Sequence, residues 1–232
     1  NHIISAIENA QQLKSNLHPA ILNLEGMSSA MVRHLFNNIA NSGEEVNYLE
    51  IGTWCGATFC STLFNNQVNG VVIDNFSEFD NMQWVEFETK VLRNRTWRYK
   101  GFSHPRNGLF YQIGKAEGVN GKNFNFCFIE KDCFQVDKLP LKNKIDLYFY
   151  DGSHSEESQY KAYTYYNSVL ADRFVTIIDD FSDEKIVAAT LKAFKDLNYK
   201  IILEKRLYGG NRTDVHDDKS FWNGIGLYIL EK

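Results

Sequence analysis

The stretch Val46-Asn-Tyr-Leu-Glu-Ile-Gly-Thr-Trp-Cys-Gly-Ala-Thr58 constrains this chain more than any other. An apolar run from Val46 to Ile51, interrupted at Asn47 and closed by Glu50 and Ile51, reads as a strand. Gly52 and Gly56 follow with Thr53 between them, and Ala57 to Phe64 has the make-up of a helix. Strand, glycine turn and helix in this order present backbone N–H groups to a nucleotide-like ligand. Glycine suits both positions because a Cβ would block close approach of a ligand to the backbone. The spacing is Glu-x-Gly-x-x-x-Gly, which differs from the dinucleotide fingerprint Gly-x-Gly-x-x-Gly. A carboxylate at Glu50 suits a ligand carrying positive charge and opposes a pyrophosphate.

The rest of the chain supplies strands and helices in alternation. Gly70-Val-Val-Ile-Asp-Asn75 reads as a second strand, and Asp74 stands about twenty residues after the glycines, where a strand-end carboxylate can bind ribose hydroxyls. Asn125 to Glu130 is a third strand. Lys144-Ile-Asp-Leu-Tyr-Phe-Tyr-Asp-Gly-Ser-His154 is a fourth strand and its turn, followed by a helix from Glu156 to Leu170. Arg173 to Asp180 is a fifth strand, Asp183 to Leu197 a helix, and Tyr199–Glu204 and Ile225–Leu230 form a closing antiparallel pair. Residues 1–45 read as helical, with Ile3, Ile4, Ile7 and Leu13 near helical spacing and Ser28 as the N-cap of a helix from Ser29 to Ala40. Between 77 and 125 the chain is long for a crossover. Phe79 to Arg95 suits a helix, and Trp97 to Lys122, with a His104-Pro105 turn, reads as a lid or substrate-facing loop. Arg93, Arg95, Trp97, Arg98 and His104 are candidate contacts there, although a solvated face explains the arginines equally well. The polar connection from Tyr208 to Asn223, carrying Arg212, His216, Asp217 and Asp218, fits either a pocket wall or a surface hairpin.

Ligands of an open α/β sheet sit beyond the carboxyl ends of its strands. Asp151, His154, Asp179 and Asp180 therefore gather on the same edge as the glycine turn. Three carboxylates crowded together repel one another unless they are protonated or bridged by a cation. Hard oxygen ligands of this kind suit Mg²⁺ or a similar divalent ion.

Composition removes several alternatives. With 232 residues, 44% hydrophobic and 23% charged, the chain can bury one large core. A net charge of −4 argues against a nucleic-acid partner held through a broad basic surface. No apolar run approaches the roughly 18 residues of a membrane span, and the N-terminus lacks the pattern of a signal peptide. Cys55, Cys60, Cys127 and Cys133 form no C-x-x-C pair. They read as small core or near-core residues of a reduced, cytoplasmic protein.

The Glu50-x-Gly52-x-x-x-Gly56 form after a first strand resembles the first motif of the class I methyltransferases that use S-adenosylmethionine. The resemblance implies a Rossmann-like α/β fold. Its seven-stranded, mostly parallel sheet has an antiparallel last strand and helices on both faces. Residues 46–232 would be the cofactor-binding domain, with an insertion at about 77–125, and residues 1–45 a helical cap. Glu50, Gly52, Thr53, Gly56 and Asp74 would hold the cofactor. Asp132 sits where the family places the acceptor for the adenine amino group, with Glu130 as the neighbouring alternative. Asp-Gly-x-His after the fourth strand and paired acids after the fifth look like the metal-dependent sugar O-methyltransferases of the macrocin type. Carried over, this makes Asp151, Asp179 and Asp180 the metal ligands, with Asp151 and His154 catalytic and His154 the general base. The family often has Glu first in the acid pair, where this chain has Asp179. The implied acceptor is a hydroxyl of a small, carbohydrate-like molecule. A catechol-like acceptor, or a non-catalytic cofactor-binding subunit, are the alternatives. No nucleic-acid or membrane partner is expected, and a homo-oligomer is compatible with the sequence.

Overall fold

The computed structural model describes residues 1–77, 105–208, 220–221 and 223–232. The expected helix over Phe79–Arg95 lies outside the described residues, as do Arg93, Arg95, Trp97, Arg98, His104, Arg212, His216, Asp217 and Asp218. The described helices are α1 (His2–Gln11), α2 (Pro19–Leu22), α3 (Ala30–Ala40), α4 (Ala57–Leu63), α5 (Pro105–Asn120), α6 (Glu156–Tyr166) and α7 (Glu184–Asp196). The strands are β1 (Val46–Ile51), β2 (Val68–Ile73), β3 (Asn125–Ile129), β4 (Ile145–Tyr150), β5 (Leu170–Ile178), β6 (Lys200–Leu207) and β7 (Ile225–Glu231).

They form one seven-stranded sheet in the order β3-β2-β1-β4-β5-β7-β6. Strands β1 to β5 run parallel, and β7 inserts antiparallel between β5 and β6. All six residues of β1 are buried, as a strand covered on both faces requires. Alternation then sorts side chains to two cores. Tyr48, Val72, Leu147, Phe149 and Ile177 face α1, α3, α4 and α5. Leu49, Ile51, Val71, Tyr148, Tyr150 and Ile178 face α6 and α7. Helices thus cover both faces, and the carboxyl ends of β1 to β5 open on one edge.

Asn47, which breaks the apolar run of β1, belongs to an amide ladder across four strands. Asn125 donates to Asn69 Oδ1 at 2.5 Å, Asn69 to Asn47 Oδ1 at 3.2 Å, and Asn47 to Asp146 Oδ2 at 2.8 Å. The first three stand opposite one another in register. A one-residue slip would break every rung, so the ladder pins the parallel alignment.

Three local expectations are corrected. The helix expected over Glu156–Leu170 ends at Tyr166, and Leu170 opens β5. The N-cap of α3 is Ser29, whose hydroxyl accepts from the Val32 N–H at 3.1 Å. The Ser28 hydroxyl instead accepts from Arg33 Nε. The second half of the expected 97–122 loop is helix α5. Gly108, Gly114 and Gly118 lower its intrinsic propensity. However, Pro105 starts it at a position where proline is favoured, and Leu109, Ile113 and Ala116 share a face buried in the core. Tertiary packing overrides the local preference.

Candidate active site

Each functional candidate enters from the carboxyl end of a strand. The turn after β1 is tightly fixed: the Gly52 N–H donates to the Ile73 carbonyl at 2.9 Å, and the Gly56 N–H to the Thr53 carbonyl at 2.8 Å. Gly52 and Gly56 have φ of +78° and +81°, a region that glycine alone enters at no steric cost. A Cβ on Gly52 would overlap the Asp151 carbonyl, and one on Gly56 would overlap the Leu109 side chain of α5. Gly52 is therefore demanded by the protein's own backbone packing and Gly56 by its φ, where the sequence suggested ligand approach. Trp54, Phe76 and Asp180, in the loops after β1, β2 and β5, also have φ near +50°. Leu13, Asn65 and Asn198, outside these loops, share that conformation.

Glu50 lies beneath the turn with no exposed surface. Tyr48 Oη donates to Oε2 at 2.5 Å, and the Thr58 hydroxyl donates to Oε1 at 2.9 Å. Burial raises its pKa to about 7, against the pull of these donors. Asp74 is bound to the turn itself. Its Oδ2 accepts from the Thr53 and Trp54 N–H groups at 2.9 Å each, and Oδ1 accepts from Phe76 at 2.7 Å. Burial raises the Asp74 pKa, while these three backbone donors oppose the rise. Asp132 caps the short helical turn Cys133–Gln135 by accepting from the Phe134 N–H at 2.8 Å. Glu130 pairs with Arg106 at 2.8 Å on the exposed surface. On β3, Phe128 makes ring contacts with Phe76 and the exposed Phe110.

The acid cluster abuts this turn. The Asp151 N–H donates to the Ile51 carbonyl at 2.9 Å, and Gly52 rests on the Asp151 carbonyl. His154 stands between two carboxylates, with Nε2 at 3.3 Å from Asp151 Oδ1 and Nδ1 at 3.5 Å from Asp180 Oδ2. One ligand atom each from Asp151, His154 and Asp179 lie within 4.8 Å of one another. Burial, then the charges of Asp151 and Asp180, hold Asp179 well above the ordinary carboxylate range. A divalent cation would relieve that crowding, and the donor set fits one. The helix that follows is fixed at Ser155, whose hydroxyl accepts from the Ser158 N–H at 3.1 Å. Tyr150 supports the turn from below, donating to the Ser153 carbonyl at 3.3 Å.

Apart from Asp132, which caps the turn after β3, the expected residues meet in two touching groups: the turn with Glu50 and Asp74, and the cluster of Asp151, His154, Asp179 and Asp180. Two further residues join them. Asn223 donates to Asp180 Oδ1 at 2.7 Å; the polar connection before β7 was its only sequence signal. Buried Gln112 of α5 donates to the carbonyls of Glu25 at 2.8 Å and Cys55 at 2.6 Å, and accepts from the Glu25 N–H. Nothing in the sequence marks it.

The methyltransferase domain family model matches residues 49–181, more than half of the chain and the span from β1 to the turn after β5. Among solved structures, the chain resembles a candidate caffeoyl-CoA O-methyltransferase from Staphylococcus aureus. That match has a TM-score of 0.60 at 13% identity and covers 99% of both chains. The O-methyltransferase from Bacillus cereus in complex with SAH gives a TM-score of 0.55 at 12% identity, covering 98% of this chain and 91% of that one. A ribosomal protein L11 methylase from Lactobacillus delbrueckii subsp. bulgaricus gives 0.50 at 12% identity, covering 88% and 78%. At these identities the likeness is one of fold, and the fold serves acceptors of different kinds. No curated protein matches the sequence. The model match and the arrangement of its edge together place the chain in the methyltransferase domain family, as a class I S-adenosylmethionine-dependent methyltransferase.

Proposed function

We propose that the chain transfers a methyl group to a hydroxyl of a small, carbohydrate-like acceptor, with a divalent cation and His154 as general base. The observation that carries this reading is the contact between the two groups at the edge. Gly52 of the cofactor turn rests on the Asp151 carbonyl, and the Asp151, His154 and Asp179 ligand atoms converge within 4.8 Å. An amine acceptor has no comparable need of a cation and a base side by side. The O-methyltransferase fold neighbours are consistent with the reading.

Gly52, Thr53 and Gly56 would seat the cofactor, with Glu50 behind the turn favouring its positive charge. Asp74 would meet the ribose hydroxyls from the rim of the turn, and Asp132 the adenine amino group. Asp151, Asp179 and Asp180 would hold the cation. When bound, S-adenosylmethionine supplies an electrophilic methyl, and the cation lowers the pKa of the acceptor hydroxyl. The chain's own part is to align and to move one proton. His154 would take the proton of the acceptor hydroxyl as that oxygen becomes nucleophilic. Holding the reactants in line supplies much of the remaining acceleration.

The test is calorimetric titration of S-adenosylmethionine and S-adenosylhomocysteine with Mg²⁺ and then with EDTA. Glycosides and catechols follow as acceptors, for wild type and His154→Gln. We expect micromolar cofactor binding in both media. S-adenosylhomocysteine should form from a glycoside only with metal, and be lost by about 10²–10⁴-fold in His154→Gln. Undiminished turnover in EDTA would remove the cation from the mechanism, and turnover with catechols alone would move the acceptor class.

A further inference from the structure

The sheet edge opposite the acid cluster carries a recess of its own. It lies where β2 and β3 begin, between the end of α4 and the turn that follows α5, and has a volume of about 230 Å³. Five of its ten lining residues are Asn or Gln, Phe124 forms part of its apolar side, and Glu45 and Lys122 supply one charge of each sign. The chain fixes these walls. The Asn65 N–H donates to Asn120 Oδ1 at 3.0 Å, joining the turn after α4 to the end of α5, and the Phe124 N–H donates to Glu117 Oε1 at 2.8 Å.

Asn66, one of the lining amides, is only 9% exposed. Its Nδ2 donates to the carbonyls of Asn37 at 3.0 Å and Thr62 at 2.9 Å. Two carbonyl acceptors settle which side of the amide is nitrogen. Oδ1 is left buried with no donor among the described residues, and a buried acceptor in that state costs about 1–3 kcal/mol. Gln67 and Asn123, exposed on the same recess, make no side-chain hydrogen bond to a described residue.

We propose that this recess binds one ring of a neutral saccharide. An amide offers both donors and acceptors, and a sugar hydroxyl both donates and accepts. A hydroxyl reaching Asn66 would donate to Oδ1, with the C–H face of the ring against Phe124. The charges of Glu45 and Lys122 offset each other, so neither a phosphate nor a cation is favoured. The size agrees: 230 Å³ is the share of about eight waters at roughly 30 Å³ each, and lies below the roughly 300 Å³ at which pockets for larger ligands begin. Because the acids lie at the carboxyl ends of β4 and β5, saccharide binding here is independent of the acceptor of methyl transfer.

The experiment titrates the full ¹⁵N-labelled chain with methyl glucoside, methyl galactoside, methyl mannoside and N-acetylglucosamine, following the assigned side-chain amide signals. At least one sugar should shift the Asn66, Gln67 and Asn123 amides together and saturate with a Kd of about 1–10 mM, which a few hydrogen bonds of about 1 kcal/mol each allow. Gln67→Ala combined with Asn123→Ala should weaken that binding at least about tenfold, since two such bonds are lost. Both positions are exposed, and each substitution should change stability by no more than about 0.5 kcal/mol. His154→Gln should leave the binding unchanged. Saturation by none of the four sugars would overturn the proposal, as would shifts that glycerol reproduces at equal concentration, which mean hydration only. Saturation by inorganic phosphate would overturn the ligand class, and sugar shifts confined to the His154 edge would overturn the site.

Discussion

A carboxyl with no exposed surface beneath a ligand turn has a consequence that can be measured without any ligand. Burial raises the Glu50 pKa from its ordinary 4.5 to about 7. Between those values the folded chain keeps a proton that the unfolded chain has lost. Stability therefore falls as pH rises through that window and levels off above about 7. The full effect is on the order of 3 kcal/mol. In Glu50→Gln the amide keeps the shape, and Tyr48 and Thr58 can turn their hydroxyls to suit it. Urea unfolding at pH 5 and pH 8 should show the variant losing less stability across that range than wild type, the remainder coming from Asp179 and Asp74, whose pKa values burial also raises; parallel profiles would refute the buried-carboxyl account. At this scale the sequence was legible where a residue type has few uses. Gly52, Gly56, Asp151 and His154 could be picked out by type and spacing, because strand ends and turns leave them few other roles. The reasons were less legible. Gly52 is required by the Asp151 carbonyl, and Asp74 has hydrogen bonds to Thr53 and Trp54 that no local pattern announces.

Between strands, the amide ladder converts one awkward residue type into alignment. Asn69 is its middle rung, accepting from Asn125 and donating to Asn47. Asn69→Ala strands a group on each side and should cost about 1–3 kcal/mol. Asn125 stands at the exposed end, and Asn125→Ala should stay within about 0.5 kcal/mol, as exposed substitutions do. Denaturant midpoints of the two variants separate the cases; equal costs would show that the ladder does not act as a unit. Seen from the sequence, Asn47 was only an interruption in an apolar run, because the partners lie on β2, β3 and β4. Helix α5 failed to stand out for a related reason. Its three glycines speak against a helix locally, and the evidence for one is the buried face of Leu109, Ile113 and Ala116 against the sheet. Strands β1 and β4, with their dense apolar runs, had no competing reading.

At the scale of the molecule, the first 45 residues are part of the core rather than a detachable cover. Ile3, Ile7, Leu35, Phe36 and Ile39 share one continuous core with Tyr48, Phe59, Phe149 and Leu227, and Phe36 meets Phe149 edge to face at 4.7 Å. The loop before α3 is wrapped by buried Arg33, which donates to the carbonyls of Ile21, Leu22, Leu24 and Gly26. Gly26 then lies so close to Ala57 that a Cβ on it would overlap the alanine, and Gln112 ties Glu25 to Cys55 of the cofactor turn. The segment thus buttresses that turn as well as closing one face of the sheet. Phe36→Ala should cost about 3–5 kcal/mol, a large share of the roughly 5–15 kcal/mol that holds a domain folded. Removing residues 1–45 exposes the whole of that face and should leave a 46–232 fragment without cooperative thermal unfolding, with dye-binding apolar surface and no S-adenosylmethionine affinity. A fragment that unfolds cooperatively and keeps the affinity of the full chain would show that the turn stands without its buttress. Gln112→Leu separates the two duties, because it breaks the tie and leaves the apolar face covered. It should weaken S-adenosylmethionine binding by more than the accompanying change in melting temperature would suggest, since Cys55 and the strained Trp54 lose their anchor while the core remains.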